Sequence, residues 1–315
     1  MRSILVTGAN RSGTTWVGEM LALSRRILWI YEPFNWQLAP PRIAGPCPFP
    51  THFHAVTAGD DREAERYIRR RLLASLASGR SFEAPGGGRA GAALRALGAI
   101  PGCLTGRRRA LIKDPTALMS AEWMAERFGS RIVIVVRHPG AYVASIMRVD
   151  WPMNPETLLD QKAVTDRLPA DLVDAARRYT EGRTKRPGFD LRDTAWFWTL
   201  LYAEVDRLRT AHPDWILVRH EDLSLDYLAG FRELYSEMGL PWNDGVEERI
   251  SDHCRRGNVK DPGSEIMVLK RDSLSTVTRW KDVLGEDDIA VVRDITAGVS
   301  DRFYDGSWWD RTDRD

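Results

Sequence analysis

Residues 6–21 read VTGANRSGTTWVGEML, and the whole chain is best read outward from them. The apolar run SILVTG (3–8) closes on Gly8, the pattern of a short strand buried in a parallel sheet. From Gly13 onward, Trp16, Val17, Met20 and Leu21 fall on one face at helical spacing. Gly8 and Gly13 let the backbone between strand and helix curl round an anion, presenting N–H groups and the positive end of the helix dipole. A loop built for nucleoside triphosphates would place lysine directly after the second glycine, to reach the β- and γ-phosphates, followed by a Ser or Thr for magnesium. Here Thr14 stands in place of that lysine, Thr15 keeps the hydroxyl, and the cation has moved to Arg11 inside the loop. That arrangement suits a ligand with one 5′-phosphate carrying a single further group, taken up without metal.

The rest of the chain repeats the alternation of strand and helix. ILWIY (27–31), ALIKDP (110–115), RIVIVVRHPG (131–140) and WILVRHEDL (215–223) read as further short strands. Helices are predicted over 61–79, after Ser120 as cap, from Pro139, through most of 156–211 and 224–256, and from Glu286. Residues 33–58 and 257–275 read as loop, and 80–109 is rich in Gly and Arg. Short apolar strands separated by helices predict an α/β fold, a P-loop-like parallel sheet covered by helices on both faces. No linker divides the chain, so one domain over 1–315 is expected. Ligands of such sheets bind at the carboxyl ends of the strands.

Composition narrows the function. The chain has 315 residues, 43% of them hydrophobic, and a formal net charge of +1. That near-neutral balance points to neither nucleic acid nor membrane as partner. No apolar run approaches the roughly 18 residues of a membrane span. Cys47, Cys103 and Cys254 lie far apart, with no metal-ligand spacing. So sparse a set, with no leader ahead of RSILVTG, predicts a cytoplasmic protein without a bound metal.

The motif RSGTTW (11–16) resembles the 5′-phosphosulfate loop of sulfotransferases that use 3′-phosphoadenosine 5′-phosphosulfate. RHPGAYVAS (137–145) resembles the family's second signature, an Arg at a strand end with a Ser eight residues on. VRHEDL (218–223) resembles the family's strand ending in aromatic-Glu-Asp, with His220 in the aromatic place, and RWKDVLGEDDIAVV (279–292) its terminal segment that closes over the cofactor. The resemblance implies that Arg11, Ser12, Gly13, Thr14, Thr15 and Trp16 hold the 5′-phosphosulfate and that Arg137 and Ser145 grip the 3′-phosphate. An arginine fork with a helix hydroxyl beside it suits a dianion.

Two departures bear on the chemistry. Cytosolic members carry Lys-Thr-His at a strand end, the His being general base. Here the stretch is Lys113-Asp114-Pro115. They also carry Arg-Lys-Gly ahead of the terminal Trp-Lys as part of the 3′-phosphate clamp, where this chain has Ser273-Leu274-Ser275. Ser273 or Ser275 is the candidate replacement. Other sulfotransferases use a Glu base after the second strand, and WIYEPFNW places Glu32 there. Asp114, His52 and His54 are rival bases. The expectation is transfer of a sulfuryl group from 3′-phosphoadenosine 5′-phosphosulfate to the hydroxyl of a small-molecule acceptor (a phenol, sugar or secondary metabolite), releasing 3′,5′-diphosphoadenosine. Glu32 takes the proton, and Arg11 and Lys113 stabilise the developing charge. Residues 33–109 and 150–190 are expected to shape the acceptor pocket. The alternatives are a P-loop small-molecule kinase and a non-catalytic nucleotide-binding protein.

Overall fold

A computed structural model describes residues 3–38, 45–78, 109–185, 187–255, 257–259 and 272–311. Five short runs build the sheet: β1 (Ile4–Gly8), β2 (Ile27–Tyr31), β3 (Arg109–Lys113), β4 (Arg131–Val136) and β5 (Ile216–Arg219). They lie in the order β2-β3-β1-β4-β5, forming the parallel α/β sheet that the sequence predicts. The register is fixed where β3 pairs with both neighbours, Leu5 opposite Ile112 and Ile30 opposite Ile112. Every residue of β1 is buried, as are Ile132 to Val136 in β4, so both faces of these strands are covered. At the edge of the sheet, β5 is only half-buried.

The longer helices are α1 (Thr14–Ala22), α2 (Asp61–Ser78), α3 (Ala121–Phe128), α4 (Pro139–Met147), α5 (Ala170–Glu181), α6 (Leu191–Ala211), α7 (Tyr227–Glu237), α8 (Asp244–Cys254) and α9 (Glu286–Ser300). The described residues sort into two compact units. One comprises Met1–Asn10, Thr14–Ile134 and Tyr235–Trp242; the other comprises Arg11–Gly13, Val135–Leu234 and Asn243–Asp315. The first holds β1, β2, β3 and α1 to α3. The second holds β5, α4 to α6, α8 and α9. The Gly/Arg-rich stretch falls almost wholly within 79–108, outside the described residues.

Two local expectations are corrected. WILVRHEDL is not one strand, because it ends at Arg219 and His220–Leu225 turns into a short helix. Arg219 Nε donates to Asp222 Oδ2 at 2.6 Å and Ser224 Oγ to the His220 carbonyl at 2.8 Å. Such three- and four-residue pairings form on a helical turn and not along a strand. Ser120 stands at the cap position of α3, but its hydroxyl makes no cap. It donates to the His54 carbonyl at 2.6 Å and accepts from Val56 N at 3.0 Å. A tight turn over Pro115–Ser120 leads into α3, and the Ala121 N–H bonds the Leu118 carbonyl.

Within the first unit α1 packs on β2 and β3 through Gly18. A Cβ there would lie 2.7 Å from the Trp29 ring and 3.3 Å from Lys113 Cγ. Trp29 is buried, so its ring has little room to yield. Gly18→Ala is expected to cost about 1–3 kcal/mol through overpacking, outweighing the few tenths to 1 kcal/mol that alanine adds to a helix. Denaturant unfolding of the two proteins checks this, and equal midpoints would show that the ring moves aside.

Candidate active site

The carboxyl ends of β2 and β3 assemble a charged cluster in the first unit. Tyr31 lies opposite Lys113, and Glu32 N donates to the Lys113 carbonyl at 2.9 Å. This register brings Lys113 Nζ onto Glu32 Oε1 in a direct ion pair and within 4.6 Å of the Tyr31 ring centre, a cation–π distance. Asn35 Nδ2 holds the other carboxylate oxygen of Glu32 at 2.7 Å. The backbone of Glu32 has φ 38°, left-handed and uncommon for a residue with a Cβ. Both side chains are buried, Lys113 almost fully.

A second carboxyl belongs to this cluster. Glu19 of α1 is buried, and its Oε1 has no hydrogen-bond partner among the described residues. Burial pushes it up to about 8, against the pull of the Lys113 ammonium. The rival bases are placed as follows. Asp114 is completely buried and accepts from Phe34 N at 2.6 Å, Thr116 N at 2.9 Å and Thr116 Oγ1 at 2.7 Å. Burial, then the neighbouring Glu32, push it up to about 7. With both oxygens bound by turn donors, it holds the chain together after β2 and β3. His54 pairs with Asp60, ahead of α2. His52 has its ring 5.7 Å from the half-exposed Trp36. Burial holds it below the usual imidazole range, with Glu32 opposing. Thr14 is buried and Thr15 and Trp16 half-buried at the start of α1.

The second unit holds Arg11, Ser12, Gly13, Arg137 and Ser145. Arg11 has φ 65° and Gly13 φ 102°, so the turn runs through two left-handed residues. A Cβ on Gly13 would lie 2.5 Å from His220 Cδ2, and glycine is required there on both counts. Arg137 Nη1 donates to the Arg11 carbonyl at 2.7 Å, and Arg11 Nε donates to Ser145 Oγ at 3.2 Å. Thus the two motifs, more than 120 residues apart in the chain, meet. Ser12 Oγ and Arg137 Nε are enclosed and have no hydrogen-bond partner among the described residues. Burial lowers Arg137, with Glu221 opposing.

The main chain at Arg137 is fixed from three sides. Its N–H donates to Tyr202 Oη at 2.7 Å, its carbonyl accepts from Trp198 Nε1 at 3.1 Å, and the next N–H, of His138, donates to Glu221 Oε1 at 3.0 Å. Tyr304 Oη donates to the other Glu221 oxygen at 2.8 Å. His138 stacks on Trp280 with ring centres 5.0 Å apart and accepts from Gly140 N at 3.2 Å through Nδ1. Burial holds it down to about 3, so it is neutral.

A family model described as "Sulfotransferase family" matches residues 3–244. The chain belongs to the sulfotransferase family. Among solved structures, the sulfotransferase domain from the Synechococcus PCC 7002 olefin synthase is 16% identical with a TM-score of 0.45, covering 97% of this chain and 95% of that one. The sulfotransferase domain from the curacin biosynthetic pathway is 14% identical with a TM-score of 0.44, covering 95% and 98%. Sulfotransferase STF1 from Mycobacterium tuberculosis is 16% identical with a TM-score of 0.41, covering 94% and 76%. No curated protein matches the chain.

In this sulfotransferase the serines offered as a substitute clamp are already committed. Ser273 Oγ donates to the Cys254 carbonyl at 3.1 Å or the Ser224 carbonyl at 3.3 Å, and Ser275 Oγ to the Asp272 carbonyl at 2.8 Å. A hydroxyl has one hydrogen to give, so neither has one left for a phosphate. Among the described residues no helix is long and apolar enough to cross a membrane, and no group of three His, Cys, Asp or Glu could hold a metal ion. The sequence reading missed Glu19, which a helical pattern assigns to a solvated face. It quoted His138, Glu221 and Trp280 without giving them a task, although each supports the Arg137 turn.

Glu19 generates a pH prediction. Its folded-state value of about 8 lies above the ordinary 4.5. The folded protein therefore binds more protons than the unfolded chain between these values, and stability falls as pH rises through that window. Lys113, Glu32, Asp114 and Tyr31 share the cluster, so only part of the fall belongs to Glu19. Glu19→Gln cannot ionise and is expected to lose less stability than the native enzyme between pH 5.5 and 8.5. Denaturant unfolding at both pH values checks this, and identical losses would assign the dependence to other groups.

Proposed function

We propose that this sulfotransferase moves a sulfuryl group from 3′-phosphoadenosine 5′-phosphosulfate to the hydroxyl of a small-molecule acceptor, a phenol, sugar or secondary-metabolite alcohol. The observation that carries the donor is the pair of enclosed groups without a protein partner, Ser12 Oγ and Arg137 Nε, beside the left-handed turn of Arg11 and Gly13. Leaving buried donors unmatched is costly, and phosphate oxygens are the acceptors such a set fits. The residues present therefore fit the donor nucleotide. Thr14, Thr15, Trp16 and the loop N–H groups hold its 5′-phosphate, and Arg137 with Ser145 its 3′-phosphate.

The donor supplies an activated sulfuryl group. A bond forms from the acceptor oxygen to sulfur as the bond from sulfur to the 5′-phosphate oxygen breaks, and 3′,5′-diphosphoadenosine leaves. The acceptor proton goes to Glu32. Its left-handed backbone at the carboxyl end of β2 supports that role, since strained residues concentrate at reacting centres. Lys113 supplies positive charge for the sulfuryl oxygens. The acceptor pocket is assigned to residues 33–109 and 150–190, of which 39–44, 79–108 and 186 lie outside the described residues. In the second stretch, Arg183 grips Glu156 with two bonds of 2.8 Å and Asp193 with one of 2.5 Å, giving it a fixed frame. A cytoplasmic setting goes with this reading, supported by the three widely spaced cysteines of the sequence.

Incubation with sulfur-labelled donor and a panel of alcohols, read by mass, is expected to show label on a hydroxyl. Because Thr14 stands where a metal-nucleotide enzyme has lysine, turnover should persist in excess EDTA. Loss that magnesium restores, with ATP consumed, would instead make the enzyme a kinase. Glu32→Gln keeps the shape but not the basicity, and turnover with an aliphatic alcohol should fall about 10²- to 10⁴-fold while donor binding holds. Native turnover in that variant would leave Glu32 a structural partner of Lys113.

A further inference from the structure

We propose that Glu19 is the carboxyl that balances the Lys113 ammonium when Glu32 takes the acceptor's proton, which makes it a positioning residue of the sulfuryl transfer. This rests on the reading of Glu32 as base and goes beyond it, since that reading gives Glu19 no task. The observations all lie within the first unit. Glu19 is buried in α1, and its Oε1 has no hydrogen-bond partner among the described residues. Its neighbours Val17, Met20 and Leu21 are apolar and fully buried, and an enclosed carboxyl without a partner is costly beside them. Lys113 links this carboxyl to the base. Its Nζ bonds Glu32 Oε1 directly. Its Cγ would lie 3.3 Å from a Cβ on Gly18, the residue before Glu19, and its charge acts on Glu19.

The other groups around α1 are accounted for. The helix packs on β1, β2 and β3. No side chain of β1 is ionisable. From β2 come Tyr31 and, just past its end, Glu32; from β3 come Lys113 and then Asp114, with Arg109 at the opposite end of that strand. Tyr31 has the Lys113 ammonium over its ring, and Asp114 is bound by Phe34 and Thr116. From α7, Tyr235 donates to the Met20 carbonyl at 2.6 Å. Before transfer, the Glu32 carboxylate balances Lys113 and burial keeps Glu19 protonated. As the acceptor's O–H bond breaks, its hydrogen goes to Glu32 and that balance is lost. A buried ammonium without a counter-charge is expensive, and Glu19 then releases its own proton to water. The cluster ends as it began, with one carboxylate, one ammonium and one protonated carboxyl. One proton leaves per sulfuryl group transferred. With the products gone, Glu32 loses its proton and Glu19 regains one.

Turnover of native enzyme, Glu19→Gln, Glu19→Asp and Glu32→Gln with an aliphatic alcohol and with 4-nitrophenolate tests this. The phenolate is already ionised and needs no base. With the alcohol, Glu19→Gln is expected to lose on the order of 10-fold in kcat, the equivalent of about one pKa unit in the base, while Glu19→Asp, which can still ionise, loses less. With the phenolate the loss should vanish, and affinity for 3′,5′-diphosphoadenosine should hold throughout. A merely structural Glu19 would slow both acceptors alike. Native turnover of Glu19→Gln with the alcohol, or an equal loss with both acceptors, overturns the inference. A second measurement uses native enzyme alone: in a single turnover followed with a pH indicator, proton release should accompany sulfuryl transfer to the alcohol, and release only after the products depart also overturns it. Failure of the base reading looks different, because Glu32→Gln itself would then turn over the alcohol at the native rate.

Discussion

The hydrogen bond from Arg137 Nη1 to the Arg11 carbonyl is the contact around which the second unit's site is organised. It fastens a three-residue turn to the end of a strand 126 residues later. Such a bond is useful only if Arg137 is itself immobile, and much of the surrounding chemistry serves that end. Tyr202, Trp198 and Glu221 take the polar groups of the Arg137 and His138 main chain. Glu221 is in turn held by Tyr304, and His138 by the stacked ring of Trp280. A neutral imidazole packed among aromatic rings adds no competing charge beside the arginine. The Arg137 turn is therefore held by side chains that bind its main chain and pack around it.

The first unit solves a different problem. Lys113 brings an ammonium into the buried ends of β2 and β3, where an unpaired charge is expensive. Glu32, Tyr31 and Glu19 surround it with two carboxyl groups and a π-face. Burial keeps the proton on Glu19 far up the pH scale, against the pull of the Lys113 ammonium. Asp114 completes the arrangement by capping the turn that follows.

Much of this was legible in the sequence because it depends on local pattern. The runs SILVTG and ILWIY are too apolar to lie anywhere but in a covered sheet, and their positions agree with β1 and β2 to within a residue, while the strand read at RIVIVVRHPG begins at Arg131 as expected and ends at Val136. Gly13 announced a tight turn, and its φ of 102° against the His220 ring is one that glycine fits. What escaped was set by the fold at long range. The fate of Ser273 depended on carbonyls of Cys254 and Ser224. The burial of Glu19 depended on how α1 packs on β2 and β3. The direction of Arg11 followed from a positive φ that sequence alone does not assign to arginine.

The backbone of Arg11 carries a cost in stability. A side chain held at φ 65° forgoes about 1 kcal/mol that glycine would recover at the same place. A search for hardier variants guided by folding alone would therefore favour glycine at position 11, and in doing so would delete a guanidinium from the site. An engineer seeking to toughen the enzyme would weigh that gain against the loss of the guanidinium's bond to Ser145.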